Sequence, residues 1–280
     1  MTKDDQLQWE GRWALPTAVA SIAAGLSLLV SAMVFFPEDR KGIQRSPDLL
    51  LSIHEHSGAY LVSALLSALG GLLLLPVFYY LFRAVLARGG GVPRWFVYVV
   101  FGAPLLYAAS TIAGAFSAID LADTFVGDGI IRGQRGADHA HDLSGAGPLL
   151  VAMATAGTVG LAFLFVMLPL RARRVGLLTP FMGILGAISG ALVVFQLSGI
   201  SSVIQAFWLG ALGALLLGRW PGGRGPAWST GEAEPWPTAA QKRGDAPMPS
   251  KEPPAELDPS LPEPEPVPER PTSRKRRKKR

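Results

Sequence analysis

Six long stretches of this sequence contain no Lys, Arg, Asp or Glu. They cover residues 13–36, 59–82, 95–119, 149–170, 175–195 and 200–218. A bilayer core about 30 Å thick needs roughly 20 apolar residues of helix, and only helices or closed barrels satisfy the backbone there. Barrel strands would alternate polar and apolar residues, which these stretches do not. The sequence therefore predicts an all-α protein, a polytopic bundle of six transmembrane helices.

The charged residues, 17% of the chain, all lie outside these stretches, and many fall in a long C-terminal region. Residues 220–280 are rich in proline, poor in aliphatic side chains and mixed in charge. Such a composition buries too little apolar surface to offset the entropy lost on ordering. We therefore expect a cytoplasmic N-terminus (1–12), a transmembrane domain (13–219) and a disordered C-terminal tail (220–280).

The loops between the predicted spans differ in charge. Short cytoplasmic loops usually contain an excess of Lys and Arg. Two loops contain three arginines each and no acidic residue, namely Arg83, Arg88 and Arg94, and Arg171, Arg173 and Arg174. The loops at 37–58 and 120–148 together contain nine acidic and five basic residues. This pattern predicts that both termini lie in the cytoplasm. Low Lys beside abundant Ala, Gly and Arg suggests a bacterium, so we expect the inner (plasma) membrane.

All the histidines occur as two His-x-His pairs in the predicted outer loops: His54, His56, His139 and His141. Side chains at i and i+2 project to one side of an extended segment but not of a helix, so a shared metal site requires strand-like loops. Four imidazoles with neighbouring carboxylates would suit zinc, copper or nickel. A divalent transition-metal site is thus one hypothesis, and solvated loop histidines are the alternative.

The predicted spans lack the buried Asp, Glu, Lys, Arg or His that ion-coupled transporters keep at membrane depth. The chain also has no cysteine, which excludes thiolate metal sites and cysteine nucleophiles. A substrate pathway would have to be lined by hydroxyls, with Gln196 and Gln205 as its amide candidates. The sequence shows no catalytic site, and we do not expect an enzyme.

Small residues recur at four-residue spacing within the spans, which permits close approach of helix backbones. The stripes are Ala23, Ser27 and Ser31; Ser63, Ser67 and Gly71; Ala152, Ala156 and Gly160; Gly186 and Gly190; and Gly210, Ala214 and Gly218. They predict the packing seams of one compact bundle.

The last seven residues of the tail are all basic: Arg274, Lys275, Arg276, Arg277, Lys278, Lys279 and Arg280. Each such charge contributes about 1 kcal/mol near an anionic membrane surface. We therefore expect the tail to bind anionic lipid head groups. Nucleic acid is not expected as a partner, because no aromatic platform accompanies the charge, and the sequence indicates no particular protein partner.

Two segments resemble the DUF4386-type bacterial membrane proteins. PVFYYLFR (residues 76–83) closes the second predicted span, and LPLR (168–171), leading through GLLTP (176–180) to Gly183, opens the fifth. The resemblance covers residues 13–218 and excludes the tail. It implies a multi-pass bundle and no particular mechanism.

Two functions are consistent with these features. The absence of buried charge and the long tail favour a non-enzymatic structural, scaffolding or sensing role. The alternative is a metal-binding or small-molecule transport protein that uses the outward His-x-His loops. A polar cavity opening outward between the second and fourth spans would favour the alternative, and a solid small-residue core would favour the first.

Overall fold

The computed structural model describes residues 2–35, 47–127, 147–195 and 200–236. Every regular element within these ranges is a helix. In chain order they are α1 (Lys3–Val34), α2 (Pro47–Glu55), α3 (Ser57–Ala87), a 3-10 turn (Arg94–Phe96), α4 (Val97–Gly127), α5 (Pro148–Arg174), α6 (Pro180–Phe195), α7 (Ile200–Leu216) and α8 (Ala227–Thr230).

Four helical stretches are long and apolar enough to cross a membrane: Lys3–Val34, Ser57–Ala87, Arg94–Gly127 and Pro148–Arg174. The apolar helices α6 and α7 are shorter, at 16 and 17 residues. At about 1.5 Å per residue they measure about 24 and 26 Å. The all-helical prediction is confirmed for the described residues, and four predicted spans coincide with helices of spanning length. Membrane crossing by α6 and α7 stays a prediction.

The helices extend beyond the apolar stretches from which they were predicted. α1 begins at Lys3, inside the segment expected to be a separate N-terminus, because Thr2 and Asp5 form a capping box. The Asp5 backbone N–H donates to Thr2 Oγ1 (3.2 Å), and the Thr2 N–H donates to the Asp5 carboxylate (3.0 Å). Hydropathy indicates how much of a helix suits lipid, whereas local capping decides where the helix starts.

The fifth predicted span is wrong at its beginning. Residues 175–179 form a turn, and α6 begins at Pro180. Gly176 adopts a left-handed conformation (φ +78°) that ends α5, and a proline is well suited to the first turn of the next helix. Leu177 and Leu178 are fully buried in this turn, which explains why the turn is as apolar as a span.

The six long helices form a closed ring in chain order. α1 packs on α3, α3 on α4, α4 on α5, α5 on α6, and α6 on α7, which returns to α1. α3 also contacts α5 across the ring. We name the end where α1 stops and α3 starts the outer end, following the predicted orientation. The opposite end, where α1 starts and α3 stops, is the inner end.

The predicted packing seams are confirmed in α3 and α6, only partly confirmed in α5 and misplaced in α7. In the α5 stripe Gly160 lies at a helix contact, but Ala152 and Ala156 are exposed. A Cβ on Gly71, Gly160 or Gly190 would lie 2.6 Å from an atom of a neighbouring helix. Gly210, however, has nothing within 4 Å of its would-be Cβ. The seam of α7 uses Gly213, whose Cβ would lie 3.0 Å from the Ala18 carbonyl oxygen.

The boundary of the tail also differs from the prediction. The packed unit continues to Trp236 instead of ending near residue 219. Trp220, Trp228 and Trp236 pack against the hydrophobic core at the inner end. Three large aromatic side chains bury enough area to hold a segment that composition alone would leave unfolded. Residues 237–280, including the basic Arg274–Arg280, lie outside the described residues.

Candidate functional site

A cavity of about 380 Å³ lies inside the ring of helices, in its outer half. Each of the six long helices contributes to its wall. Its apolar surface includes Leu28, Phe35, Leu74 and Phe165. The described wall contains no Lys, Arg, Asp, Glu or His. Its volume falls within the range of small-molecule sites, about 300 to 1,000 Å³.

The polar part of the wall consists of hydroxyl groups and one amide. These groups belong to Ser31, Ser63, Ser67, Tyr107, Thr158, Ser201, Ser202 and Gln205. Because they come from α1, α3, α4, α5 and α7, the ring closure brings together groups that are far apart in the sequence.

Some of these groups bond to one another across helix interfaces. Ser31 Oγ donates to the Ser63 carbonyl oxygen (2.8 Å), and Ser63 Oγ donates to the Ser31 carbonyl oxygen (2.9 Å). The Ser67 hydroxyl lies 2.7 Å from the Tyr107 hydroxyl. These bonds fix α1 to α3 and α3 to α4 along the cavity.

Other polar groups face the cavity without such bonds. Within the described parts of the chain, the side chains of Thr158, Ser202 and Gln205 have no hydrogen-bond partner. Polar atoms at membrane depth are costly unless water or a ligand satisfies them. Gln205, one of the two amide candidates predicted from the sequence, therefore lies where an occupant can bond to it. Gln196 is outside the described residues.

Aromatic side chains form the floor of the cavity. Phe165 lies in the cavity wall and packs edge-on against Phe78 (centroids 5.0 Å apart) and Trp208 (5.4 Å). The Trp208 indole donates to the Met182 carbonyl oxygen (2.9 Å). Phe78 and Trp208 are fully buried. This layer separates the cavity from the inner end.

A buried ion pair lies at the inner end. Arg88 donates from both terminal nitrogens to the two carboxylate oxygens of Glu10, at 2.6 and 2.9 Å. The side chains are 0% and 4% exposed. Gln6 donates to the same carboxylate at 2.8 Å, and Tyr80 donates to the Glu10 carbonyl oxygen at 3.0 Å. The bidentate geometry ties the start of α1 to the end of α3.

The C-terminal segment completes this inner closure. Arg88 donates from Nε (3.1 Å) and a terminal nitrogen (2.7 Å) to the Ala227 carbonyl oxygen. Trp228 stacks on Tyr80, with centroids 5.7 Å apart, and its indole donates to the Leu177 carbonyl oxygen at 2.8 Å. Residues 220–236 therefore connect α1, α3 and the α5–α6 turn, and the described bundle is closed at the inner end.

The histidines predicted as metal ligands are only partly described. His54 Nδ1 lies 2.7 Å from the Asp123 carboxylate, and His56 Nδ1 lies 3.3 Å from the Ser52 carbonyl oxygen. His54 belongs to α2 and His56 directly precedes α3, so the backbone lacks the extended form that a two-histidine pincer requires.

Within the described ranges, no group of three or more His, Asp or Glu side chains is placed to hold a metal. His139 and His141 lie outside these ranges. A site that includes them stays a prediction.

Comparisons with protein-family models, with curated proteins and with solved structures found no match to this chain. The resemblance to DUF4386-type proteins therefore stays a hypothesis.

Sequence reasoning missed most of the cavity and all of the inner closure. The sequence allows a pathway lined by hydroxyls, but it places Ser31, Ser63 and Ser67 only in packing seams. Three hydroxyls at similar depth are the signal that could have indicated a polar surface. The sequence places Glu10 before the first span and Arg88 after the second, both on the cytoplasmic side but without a contact between them. Their pairing depends on the α1–α3 contact, which no local pattern specifies.

Proposed function

We propose that this chain is an integral membrane protein of six spans that binds a small, uncharged amphiphilic molecule in its outer cavity. The observation that carries this proposal is the unpartnered set of Thr158, Ser202 and Gln205 in a cavity of ligand size. It favours the small-molecule alternative over a purely structural role, because a scaffold needs no polar cavity.

The chemistry of the wall selects the ligand. Because the described part of the wall has no charged side chain to neutralise an ion, a charged ligand would bear most of its own desolvation cost there. Hydroxyls and an amide can both donate and accept hydrogen bonds, so they suit alcohol, ether or carbonyl groups. Leu28, Phe35 and Leu192 supply an apolar surface beside them. A molecule with one hydrogen-bonding end and an apolar body matches both the polar and the apolar parts of the cavity wall.

With the orientation predicted from loop arginines, the cavity lies in the half of the bundle nearer the outside of the cell. The aromatic layer of Phe78, Phe165 and Trp208 and the closed inner end oppose passage to the cytoplasm in this conformation. This arrangement is that of an outward-facing binding protein or of a transporter in its outward-facing state. The His-x-His loops are not required for either.

Cysteine accessibility tests the proposal directly, because the natural chain contains no cysteine. Single variants Ser67→Cys and Ser202→Cys would report on the cavity. Ser189→Cys serves as the buried control, since Ser189 is fully buried and outside the cavity. Gly58→Cys serves as the exposed control at the outer end, since its would-be Cβ has nothing within 4 Å.

Each variant is treated on intact cells with a small, membrane-impermeant thiosulfonate. We expect Ser67→Cys and Ser202→Cys to react and Ser189→Cys to remain unmodified. A panel of uncharged diols, sugars and short alkyl glycosides is then added, and at least one class should slow labelling at Ser202→Cys but not at Gly58→Cys. Equal inertness of Ser202→Cys and Ser189→Cys would show a cavity without water access. Reactivity that no compound slows would return the protein to the structural class.

A further inference from the structure

Two adjoining grooves lie on the surface between α1 and α3 at the inner end, and Arg83 lines both of them. The first, of about 290 Å³, is lined mainly by aromatic residues. The second, of about 430 Å³, is lined by Thr2, Lys3, Gln6 and Arg83 together with Leu86, Ala87 and Gly231. Together they form one amphipathic groove, which we call the Arg83 groove.

Most of the apolar half of the Arg83 groove lies within the predicted membrane spans, and Trp9 lies just before the first of them. Trp9, Trp13, Tyr79 and Pro76 form its walls. Trp13 is 49% exposed, so this aromatic surface is open on the side that faces away from the bundle. Trp and Tyr rings are typical of the level where lipid tails meet head groups. An acyl chain can therefore lie along this half.

The polar half continues beyond the ends of the spans. It contains Lys3, Gln6, Thr2 and the backbone at Gly231. Lys3 also forms an ion pair with Glu232 at 2.8 Å, with both side chains at least half exposed. No acidic side chain lines either half among the described residues.

Arg83 stands at the junction of the two halves. It is the first charged residue after the apolar stretch of α3. Its guanidinium carbon lies 4.1 Å above the centre of the Trp9 ring. Stacking on an aromatic face directs the guanidinium N–H groups sideways, in the plane in which Arg binds phosphate oxygens in pairs.

We propose that the Arg83 groove binds one anionic phospholipid of the surrounding membrane leaflet. Its phosphate contacts Arg83, its acyl chain lies against Trp13 and Tyr79, and its head group enters the polar half beside Lys3 and Gln6. This site is distinct from the basic residues Arg274–Arg280, which would attract a lipid surface without a pocket for a single molecule. It is also independent of the outer cavity.

The groove indicates a lipid instead of a soluble anion for two reasons. Half of its wall is apolar and would stay exposed if only a phosphate bound. The cation also lies at the boundary of an apolar helix, which is the depth of lipid phosphates and not of bulk solution.

Native mass spectrometry of the full-length chain in a mild detergent tests the site. All samples have residues 274–280 replaced by Gln, which removes the tail as a second source of binding. Dioleoyl phosphatidylglycerol and dioleoyl phosphatidylcholine are titrated as the anionic and zwitterionic probes. The variants are Arg83→Gln, Arg83→Lys and Trp13→Ala, and the matched control is Arg94→Gln, because Arg94 is exposed on the same side but lines neither groove.

We expect one phosphatidylglycerol to bind the parent chain and Arg94→Gln in preference to phosphatidylcholine. Arg83→Gln should weaken that binding by about tenfold or more, the effect of losing hydrogen bonds to a charged group. Arg83→Lys should keep part of it, and Trp13→Ala should weaken both lipids. Retention of binding in Arg83→Gln would overturn the proposal. So would displacement of the lipid by millimolar inorganic phosphate, or an absence of lipid binding to the parent chain, in which residues 274–280 are already Gln.

Discussion

Replacing Glu10 by Gln should destabilise the bundle strongly, because it leaves the buried Arg88 guanidinium without its counter-charge. The Arg88 side chain is 0% exposed, so solvent cannot take over. A Gln side chain offers one acceptor oxygen where the carboxylate offers two, and its NH₂ group would face an Arg88 donor. Removing one partner of a buried ion pair typically costs about 3 to 5 kcal/mol. We expect a loss in this range for Glu10→Gln, and a similar loss for Arg88→Met.

Replacing both partners separates the ion pair from simple packing. The double variant Glu10→Leu with Arg88→Met leaves no buried charge, and apolar replacements of buried pairs are often neutral or stabilising. It still loses the hydrogen bonds from Arg88 to the Ala227 carbonyl oxygen, which contribute about 1 to 2 kcal/mol in total. The double variant should therefore be more stable than either single variant.

The assay is equilibrium unfolding in mixed micelles, followed by tryptophan fluorescence as the fraction of denaturing detergent rises. Lys3→Gln is the control, since the Lys3–Glu232 pair also starts from the beginning of α1 at the inner end, but it joins α1 to the C-terminal segment and its side chains are 50% and 57% exposed. Its loss should cost less than about 1 kcal/mol. A Glu10→Gln cost equal to that of Lys3→Gln would refute the reasoning, as would a double variant whose loss equals the sum of the singles.

Two further predictions concern packing and the outer end. Gly157→Ala should destabilise the bundle by about 1 to 3 kcal/mol in the same assay, because its Cβ would lie 2.5 Å from the Tyr107 backbone nitrogen. Gly210→Ala, which has open space at its Cβ, should stabilise the bundle by up to about 1 kcal/mol through helix propensity. Equal changes in stability for Gly157→Ala and Gly210→Ala would contradict the α4–α5 contact. His54→Gln should change stability by less than about 1 kcal/mol, since the His54–Asp123 pair is exposed, and a larger loss would show that this pair anchors α2.

The helical elements of the bundle could be predicted from the sequence because the signal is local. An uncharged apolar run of about 20 residues suits a helix in lipid wherever it occurs in the chain. The glycine seams at Gly71, Gly160 and Gly190 were visible for the same reason, as four-residue spacing is a property of one helix. Local patterns failed at the turn before α6, where Leu177 and Leu178 are buried. A hydropathy profile cannot distinguish such a buried apolar turn from part of a membrane span.

The cavity and the inner closure were decided only by the tertiary structure. The polar wall joins Ser67, Thr158 and Gln205 from three helices, and the closed ring alone makes them neighbours. Arg88 counted in the sequence as a loop cation that sets orientation, yet its partners Glu10 and Ala227 lie 78 and 139 positions away. The sequence determined which segments are helical because that depends on neighbours along the chain. Which polar groups pair, and which remain open to a ligand, depends on contacts between distant segments that exist only after the helices have packed.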